Sequence, residues 1–432
     1  MDPVSLGVVS LGVLTLFLLS GMRIAFATAL CGFLGLWALR GYDPAASLSA
    51  TSIYGHLTNY NLLVLPLFIA MGYFAYHAGI TRDLYFTARQ WFGHLPGGLA
   101  IATIFGSAGF AAACGASTAS AAVMGRVALP ELKKYGYDDK ISTGCVAAGG
   151  TMATMIPPSV LMVVYGFIAE ESIGALLLAG ILPGLLEAVS YVLMLLVRFR
   201  VNPALGPPIR GITWPDRVRS LKGVWGMVVL VVLVMGSIYS GVATPTEAAG
   251  VGALGALLLA LPRLTWATFW MAMVETARTS ALIFAIVAGV LIYVHFLGFT
   301  GMPGAVAAVI AGLDLPPTVV LIGILALYFV LGMFLDGIGM LLLTVPIILP
   351  TIANLGIHPI VFGVLVIRMV EIGLITPPVG LNVYVLRGVA PDVSMTDMFR
   401  GCGWFVFVDV INVAILMAFP QIILLIPQTM IR

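Results

Sequence analysis

The stretch MIPP at residues 155–158 recurs as ITPP at residues 375–378, 220 positions later. Proline fixes the backbone and glycine frees it, so a duplicated fold replaces these two residues least easily. The same offset relates further positions: Pro130 and Pro350, Gly136 and Gly356, Gly21 and Gly241, Gly32 and Gly252, Gly35 and Gly255. The repetition predicts that the chain consists of two copies of one structural unit.

The two predicted copies cover roughly residues 1–210 and 221–432. In membrane transporters, hydrophobic segments interrupted by Pro or Gly at matching positions of two halves point to the substrate site. The paired Pro-Pro motifs are therefore where we expect the function of this chain to lie.

The composition identifies a membrane protein. Of 432 residues, 61% are hydrophobic and 9% are charged, and the mean hydropathy is +1.11. Soluble domains carry about 25% charged residues. Apolar runs close to the ~20 residues of a membrane-spanning helix recur along the chain. We predict an all-α integral membrane protein of several spans.

Other function classes lack support in the sequence. The net charge is +2, without a basic run interleaved with aromatic residues, so we expect no nucleic-acid partner. The four cysteines lie apart in apolar stretches, and no histidine pair has metal-ligand spacing on a helix. We expect no transition metal, no organic cofactor and no enzyme activity.

Charged loops predict how the copies are oriented. The segment 131–140 contains three lysines, whereas its counterpart 351–359 contains no Lys or Arg. Segment 198–222 holds six basic residues and, by the positive-inside rule, is expected in the cytoplasm. One copy therefore places its loop inside and the other outside, which is the pattern of an inverted repeat.

Residues 96–130 and 316–350 are predicted to form two helical hairpins that enter the membrane and return. Each segment has about 35 residues, fewer than the ~40 that two full crossings need, and each is interrupted by small or polar residues. A re-entrant tip is stable only where protein or a wet cavity satisfies its backbone. The alternative is one long helix with a small-residue packing face.

The Pro-Pro motifs predict breaks in two membrane helices, at Pro157 and Pro158 and at Pro377 and Pro378. Such breaks free backbone carbonyls, which with nearby hydroxyls form hard-oxygen sites for Na⁺. The candidate Na⁺ ligands are Ser117, Ser120, Thr151 and Thr154 in the first copy, and Asp336, Gly337, Thr376, Gly380 and Asn382 in the second. A structural proline kink is the alternative for each motif.

Intramembrane charges are further candidates, because they are costly to bury. Arg126 and Arg368 could hold a substrate carboxylate in bidentate fashion, or serve as structural or interfacial cations. Ser159, directly after the first Pro-Pro pair, is a third candidate substrate contact. Arg368 and Glu371 lie three residues apart and could pair on one helical face.

The chain resembles the large membrane subunit of tripartite ATP-independent periplasmic (TRAP) transporters. Motifs spread over nearly the whole chain carry the resemblance: GHLPGG at 93–98, KKYGYD at 133–138, IPPS at 156–159, AGILPG at 179–184, TPTEAA at 244–249 and EIGLITPPVGLN at 371–382. Three positions depart from the usual pattern of the family: Ser120 stands where an Asp is usual, Arg126 where a small residue is usual, and Arg368 where an Asn is usual.

The resemblance implies an elevator-type transporter of the bacterial inner membrane, with inverted repeats, two hairpins, a scaffold and a transport domain. It implies Na⁺-driven uptake of an organic acid that a periplasmic binding protein delivers, and a small four-helix membrane subunit as a separate chain. It assigns the regions as follows: scaffold 1–57 and 224–270, transport domain 58–197 and 271–432, cytoplasmic arm 198–223, and Pro-Pro helices 141–168 and 359–390.

Three alternatives remain at this stage. One is a stand-alone anion:Na⁺ symporter of similar architecture that needs no binding protein. The others are a membrane-embedded enzyme, for which the sequence offers neither a metal site nor a nucleophile–base pair, and a passive channel, which would conduct without Na⁺.

Overall fold

The computed structural model describes residues 2–430, which are helical nearly throughout. The α-helices are α1 Pro3–Leu19, α2 Ile24–Arg40, α3 Tyr42–Leu57, α4 Val64–His77, α5 Ile80–Phe92, α6 Gly98–Cys114, α7 Ser117–Lys134, α8 Asp139–Thr151, α9 Val160–Ile168, α10 Ile173–Ala179, α11 Ile181–Val201, α12 Trp214–Ser220, α13 Trp225–Tyr239, α14 Pro245–Ala260, α15 Trp266–Thr300, α16 Met302–Ala311, α17 Pro317–Gly332, α18 Gly337–Asn354, α19 Pro359–Leu374, α20 Leu381–Val389, α21 Met395–Ala418 and α22 Gln421–Thr429.

The helices repeat at the offset that the sequence predicts. Helices α6 to α9 correspond one to one with α17 to α20, and α7 and α18 begin 220 residues apart, at Ser117 and Gly337. Helices α1 and α2 correspond likewise to α13 and α14. One difference interrupts the match, since α3 and α4 are separate helices whereas α15 is a single helix of 35 residues.

Contacts at the two ends of the molecule prove that the copies are antiparallel. At one end the Tyr165 hydroxyl, near the end of α9, donates to the Pro359 carbonyl at the start of α19, at 2.7 Å. At the other end Lys133, near the start of α8, pairs with Asp392, just after α20. The run α8–α9 therefore points opposite to α19–α20, which confirms the inverted repeat.

The positive-inside rule predicts that the Lys133 end is the cytoplasmic one. This end carries the basic segment 131–140, and the basic connecting arm packs against it. The hydrogen bond between the exposed Lys133 and Asp392 side chains lowers the pKa of the Asp392 carboxyl group and raises that of the Lys133 ammonium group.

Both predicted hairpins are present. In the first, α6 and α7 are joined at Gly115, whose φ of 64° lies in the left-handed region that glycine adopts without strain. In the second, α17 and α18 are joined by residues 333–336, and the Asp336 carboxylate accepts from the backbone N–H groups of Ile338 and Gly339 as an N-cap. The returning arms end four residues beyond the predicted limits, at Lys134 and Asn354.

Both Pro-Pro segments are broken helices. The first is helical over α8, continues as a 3₁₀ turn over Met152–Thr154, and resumes at α9. The second stops at Leu374 and resumes at Leu381. Both Pro-Pro peptide bonds are cis. The predicted breaks are therefore present, and residues 141–168 and 359–390 each contain two shorter helices separated at the Pro-Pro pair.

Apart from the hairpins and the broken helices, α2, α4 and α14 pack together with α15. We call these four helices the scaffold core. Gly32 on α2 lies against the backbone of Tyr293, and Gly289 on α15 against the carbonyl of Ala25, so the two helices cross at close range. Small residues at such crossings let backbones approach.

The predicted domain limits require correction at two places. A limit at 270/271 falls inside the continuous helix α15, and a rigid body cannot end in the middle of an unbroken helix. A limit at 57/58 separates α4 from α14 and α15, against which it packs. Both α4 and the whole of α15 therefore belong with the scaffold core.

The arm between the copies is fastened to the cytoplasmic end. The Ile209 N–H donates to the Gly93 carbonyl at 2.8 Å, and the Asp138 N–H donates to the Leu205 carbonyl at 3.0 Å. Residues 198–223 thus consist of the end of α11, the short helix α12 and the irregular segments that connect them. They lie across the ends of α5 to α8.

Five helical segments of the described chain are long and apolar enough to cross a membrane, and a sixth arises if one pair bent by 49° counts as one span. They are Tyr60–His77, Ile173–Val201, Trp266–Thr300, Gly337–Asn354 and Met395–Ala418, and the bent pair is Trp214–Gly223 with Trp225–Tyr239. Most other apolar helices have 10–17 residues, because hairpin turns and proline breaks interrupt the apolar runs.

Candidate functional site

The hairpin tips and the helix breaks lie against one another. The tip of the first hairpin joins the first break, where the Val160 N–H donates to the Gly115 carbonyl at 3.1 Å. The tip of the second hairpin packs on α19, because Gly373 lies against the backbone of Gly332 and Gly337 lies against Val370. A β-carbon on Gly373 would stand 2.5 Å from a Gly332 backbone atom, so this approach requires glycine.

The first tip also reaches the second copy. The Ser117 hydroxyl donates to the side-chain oxygen of Asn382 at 3.2 Å and accepts from its amide at 2.8 Å. The same amide lies 3.3 Å from the Ala147 carbonyl on α8. The sequence grouped Asn382 with Asp336, whereas the structure places it against the first hairpin.

Glu371 stands at the centre of this group. Its side chain is fully buried, and the hydroxyls of Ser117 and Thr154 lie beside its carboxyl group. Neither carboxyl oxygen has a hydrogen-bond partner among the described residues. Ser120, one turn along α7 from Ser117, is also fully buried and its hydroxyl is without a partner in the described part of the chain.

Thr151, another predicted ligand, is turned towards a separate ionic cluster. Its hydroxyl contacts the Glu187 carboxylate at 3.0 Å and donates to the Ala148 carbonyl at 2.7 Å. Thr154 donates instead to the Thr151 carbonyl at 2.9 Å. Of the four ligands predicted in the first copy, Ser117 and Thr154 come together, and Thr151 is directed elsewhere.

The ionic cluster surrounds Arg368. Its guanidinium pairs with Glu187 at 2.7 Å and with Asp409, and it donates to the Tyr191 hydroxyl at 3.1 Å. Tyr191 in turn donates to Asp409 at 2.7 Å, and all four side chains are buried. The cluster joins α11, α19 and α21.

This arrangement corrects two expectations for Arg368. It does not pair with Glu371, since its two carboxylate partners come from α11 and α21. It also does not present its guanidinium to a substrate, because 1% of the residue is exposed and the charge is bound to Glu187 and Asp409. The structural ion pair is therefore the role that the geometry supports.

The candidate ligands of the second copy surround a break that is more open than the first. Asp336 and the pair Pro377 and Pro378 are exposed, whereas Pro157 and Pro158 are buried. The Thr376 hydroxyl donates to the Ile372 carbonyl at 2.7 Å, which leaves its oxygen available as a ligand.

Two glycines complete the second break. Gly380 adopts a left-handed φ of 57°, and its Cα face lies against the carbonyl of Thr376 and the ring of Phe399. Gly337 begins α18 directly after Asp336, and a β-carbon there would stand 3.0 Å from Leu161. The tip of the second hairpin thus lies between α9 and α19.

Of the remaining candidate substrate contacts, Ser159 lies at the first break beside the first hairpin tip, whereas Arg126 lies farther along α7. Ser159 is buried and accepts from the Met162 N–H at 3.3 Å, as the N-cap of α9. Arg126 is exposed on α7, nine residues beyond Ser117, which along a helix is about 13 Å. It makes neither a hydrogen bond nor an ion pair with any described residue.

A cavity of about 890 Å³ lies at the end of the molecule opposite the basic loops. It separates α15 and the start of α14 from the helices α9, α10 and α18. It is lined by His56, Glu171, Thr244 and His295 among others, and Leu342 and Pro346 of α18 form part of its wall. The cavity separates the two parts of the molecule on the side opposite the basic loops.

Sequence reasoning missed Glu187, Asp409 and Tyr191 and gave Glu371 a different role. A usable signal existed, because Glu187 and Asp409 are lone acidic residues within otherwise apolar runs, and such residues normally have a buried partner. Arg368 is the cation in the same membrane region that could have been matched to them.

Two antiparallel broken helices, with a hairpin tip seated at each break, define the class of secondary transporters built from inverted repeats. The solved structure of the Alcanivorax borkumensis YdaH transporter has a similar fold, with a TM-score of 0.63 over 88% of this chain and 89% of that one, at 13% identity. The chain belongs to the family described as tripartite ATP-independent periplasmic transporter, DctM component, whose model matches residues 11–422.

Individual relatives agree with this membership. The chain is 34% identical to the C4-dicarboxylate TRAP transporter large permease protein of Pseudomonas aeruginosa, over 80% of this chain and 81% of that protein. It is 32% identical to the sialic acid TRAP transporter large permease protein of Vibrio cholerae, over 95% and 96%. It is thus a multi-pass protein of the bacterial inner membrane, and its relatives are transporter permeases.

Proposed function

We propose that this chain is the large subunit of a Na⁺-coupled transporter that takes up an organic acid delivered by a periplasmic binding protein. A small membrane subunit, encoded as a separate chain, completes the complex. The observation that carries the proposal is the contact of each hairpin tip with a helix break, together with the hydrogen bonds between Ser117 of the first tip and Asn382 of the second copy. Membership of a family described as tripartite, and relatives named for C4-dicarboxylate and sialic acid, support the partners and the acidic substrate.

The proposed mechanism uses the antiparallel halves. Na⁺ binds at each break, to hydroxyl and carbonyl oxygens such as those of Ser117 and Thr376, and both ions hold the tips around the substrate. The hairpins and broken helices then slide as a body against the scaffold core, an elevator movement. The cavity between the two parts on the non-cytoplasmic side supports such a division.

Arg126 is the proposed contact for the substrate carboxylate on the cytoplasmic route. It is exposed, it carries no partner in the described chain, and it lies between the first tip and the cytoplasmic end of α7. An unpaired guanidinium on this path suits a carboxylate better than a neutral side chain does.

The first test is the thermal unfolding of the purified chain in Na⁺ against equimolar choline or K⁺. A ligand that binds only the folded state stabilises it by about 2.7 kcal/mol at a hundredfold excess over its Kd. We expect a Na⁺-specific rise in the midpoint that Asp336→Ala and Thr376→Ala each reduce, with folding retained. An equal midpoint in all three salts would contradict the proposal.

The dependence on partners needs a separate assay. In proteoliposomes, we expect Na⁺-driven uptake only when the small subunit and the loaded binding protein are present. Uptake by this chain alone would identify a stand-alone symporter, and flux that neither saturates nor needs Na⁺ would identify a channel.

A further inference from the structure

Glu371 is a carboxylate that the fold buries without compensation. Its residue exposure is 0%, and neither oxygen receives a hydrogen bond from any described residue. Burial of an ionised carboxylate without a partner is strongly unfavourable, so such a group in a native protein calls for an explanation, of which a bound ion is one.

The neighbouring cation does not supply the missing charge. Arg368 lies one helical turn before Glu371, but its guanidinium is bound to Glu187 and Asp409. The charged groups near Glu371 are Arg368 and Glu187, whose charges cancel, so an ionised Glu371 would remain without compensation. A further positive charge is needed near Glu371.

The groups that touch Glu371 are two hydroxyls, each of which has another acceptor for its single proton. The Ser117 hydroxyl donates to Asn382, and the Thr154 hydroxyl donates to the Thr151 carbonyl. Both hydroxyls lie beside the Glu371 carboxyl group, and their remaining lone pairs are free. Carboxylate and hydroxyl oxygens that lack donors form the environment that hard cations prefer.

We propose that Glu371 is the charged ligand of the first Na⁺ site, with the hydroxyl oxygens of Ser117 and Thr154 as its neutral partners. The inference rests on the proposed Na⁺ coupling and adds to it a residue and a mechanical consequence. Ser117 is the first residue of the returning arm of the hairpin, whereas Glu371 belongs to the broken helix α19. An ion shared by these residues fastens the first tip to α19, so release of the ion frees the tip.

The test is a Na⁺ titration of the unfolding free energy of the purified chain, with choline keeping the ionic strength constant. Above saturation each bound ion adds about 1.4 kcal/mol per tenfold rise in Na⁺, so the slope counts the ions. We expect two ions for the natural chain and one for Glu371→Gln. In choline alone, Glu371→Gln is expected to be the more stable protein, because it removes an uncompensated charge, and in high Na⁺ the less stable one.

Matched variants make the outcome specific. Asp314→Asn removes an exposed carboxylate in a loop and is expected to keep two ions. Thr376→Ala, at the other break, is expected to lose one bound ion. The double variant that combines it with Glu371→Gln is expected to lose both ions. Glu371→Asp keeps the charge on a shorter side chain, so it is expected to count two ions at a higher half-saturating Na⁺ concentration, and it replaces the Gln variant if that protein does not fold.

The possible failures are distinct. The inference is wrong if Glu371→Gln gives the same Na⁺ slope as the natural chain and if the same one of the two proteins is the more stable in choline and in high Na⁺. Glu371 would then carry a proton and would not bind Na⁺. If the natural chain itself shows no Na⁺-specific slope, the proposed Na⁺ coupling fails, and not only the assignment of Glu371.

Discussion

The cluster around Arg368 gives a prediction that separates a structural role from a substrate-binding one. Arg368→Met removes the cation and keeps much of the side-chain volume, so that Glu187 and Asp409 are left buried and unpaired. Removal of one partner from a buried ion pair costs about 3–5 kcal/mol. That is a large share of the ~5–15 kcal/mol by which folded proteins are usually stable.

The measurement is an equilibrium unfolding titration in mixed micelles with increasing SDS, followed by tryptophan fluorescence. Arg368→Met is expected to unfold at a much lower SDS fraction than the natural chain. The triple variant Arg368→Met, Glu187→Gln, Asp409→Asn is expected to recover most of the loss, because it leaves no buried charge to compensate. Arg126→Met removes the same group at an exposed position and is expected to change stability by less than about 0.5 kcal/mol.

Transport by the triple variant decides the question. If Arg368 is structural, the triple variant retains substrate affinity in proteoliposomes with its partner proteins. If Arg368 binds the substrate carboxylate, Arg368→Met keeps the natural stability and loses affinity. Natural stability together with lost substrate affinity in Arg368→Met would refute the structural role that we infer from its burial and its ion pairs.

Two further predictions concern packing at the ends of the repeats. Gly401→Ala places a β-carbon 1.9 Å from the Lys140 carbonyl at the crossing of α8 and α21, so we expect a loss of about 1–3 kcal/mol in the same titration; natural stability would show that the crossing can widen freely. Tyr165→Phe removes the hydroxyl that donates to the Pro359 carbonyl at 2.7 Å, and a loss of about 0.5–1.5 kcal/mol is expected. Gly403→Ala, at a glycine of the same helix with open space around it, is the control for Gly401→Ala and is expected not to lose stability.

The architecture was largely predictable because its signals are local. Proline breaks, glycine turns and lysine-rich loops each act on the backbone or the topology where they stand, so MIPP and ITPP identified two broken helices and the lysines at 133 and 134 indicated their opposite directions. The domain limits were less predictable, because no residue near 270 marks whether α15 continues as one helix.

The ligand groups were only partly predictable because they depend on contacts between distant segments. Ser117 and Asn382 are 265 residues apart in the chain and meet only when the two copies interlock. Glu371 and Arg368 look like a pair on one helix, and α11 and α21 supply the partners that separate them. Sequence spacing within a helix cannot show which side chains another helix brings.

The meeting of Ser117 with Asn382 also bears on the origin and the synthesis of this protein. The first copy does not complete its own centre, since Ser117 at its hairpin tip is hydrogen-bonded to Asn382 of the second copy and Tyr165 near the end of α9 donates to the start of α19. A single repeat of this fold would gain the corresponding contacts only by pairing with an oppositely inserted copy. In the present chain, the first hairpin is synthesised 265 residues before Asn382, to which Ser117 of its tip binds. The amino-terminal half therefore lacks this contact until the second broken helix has been made.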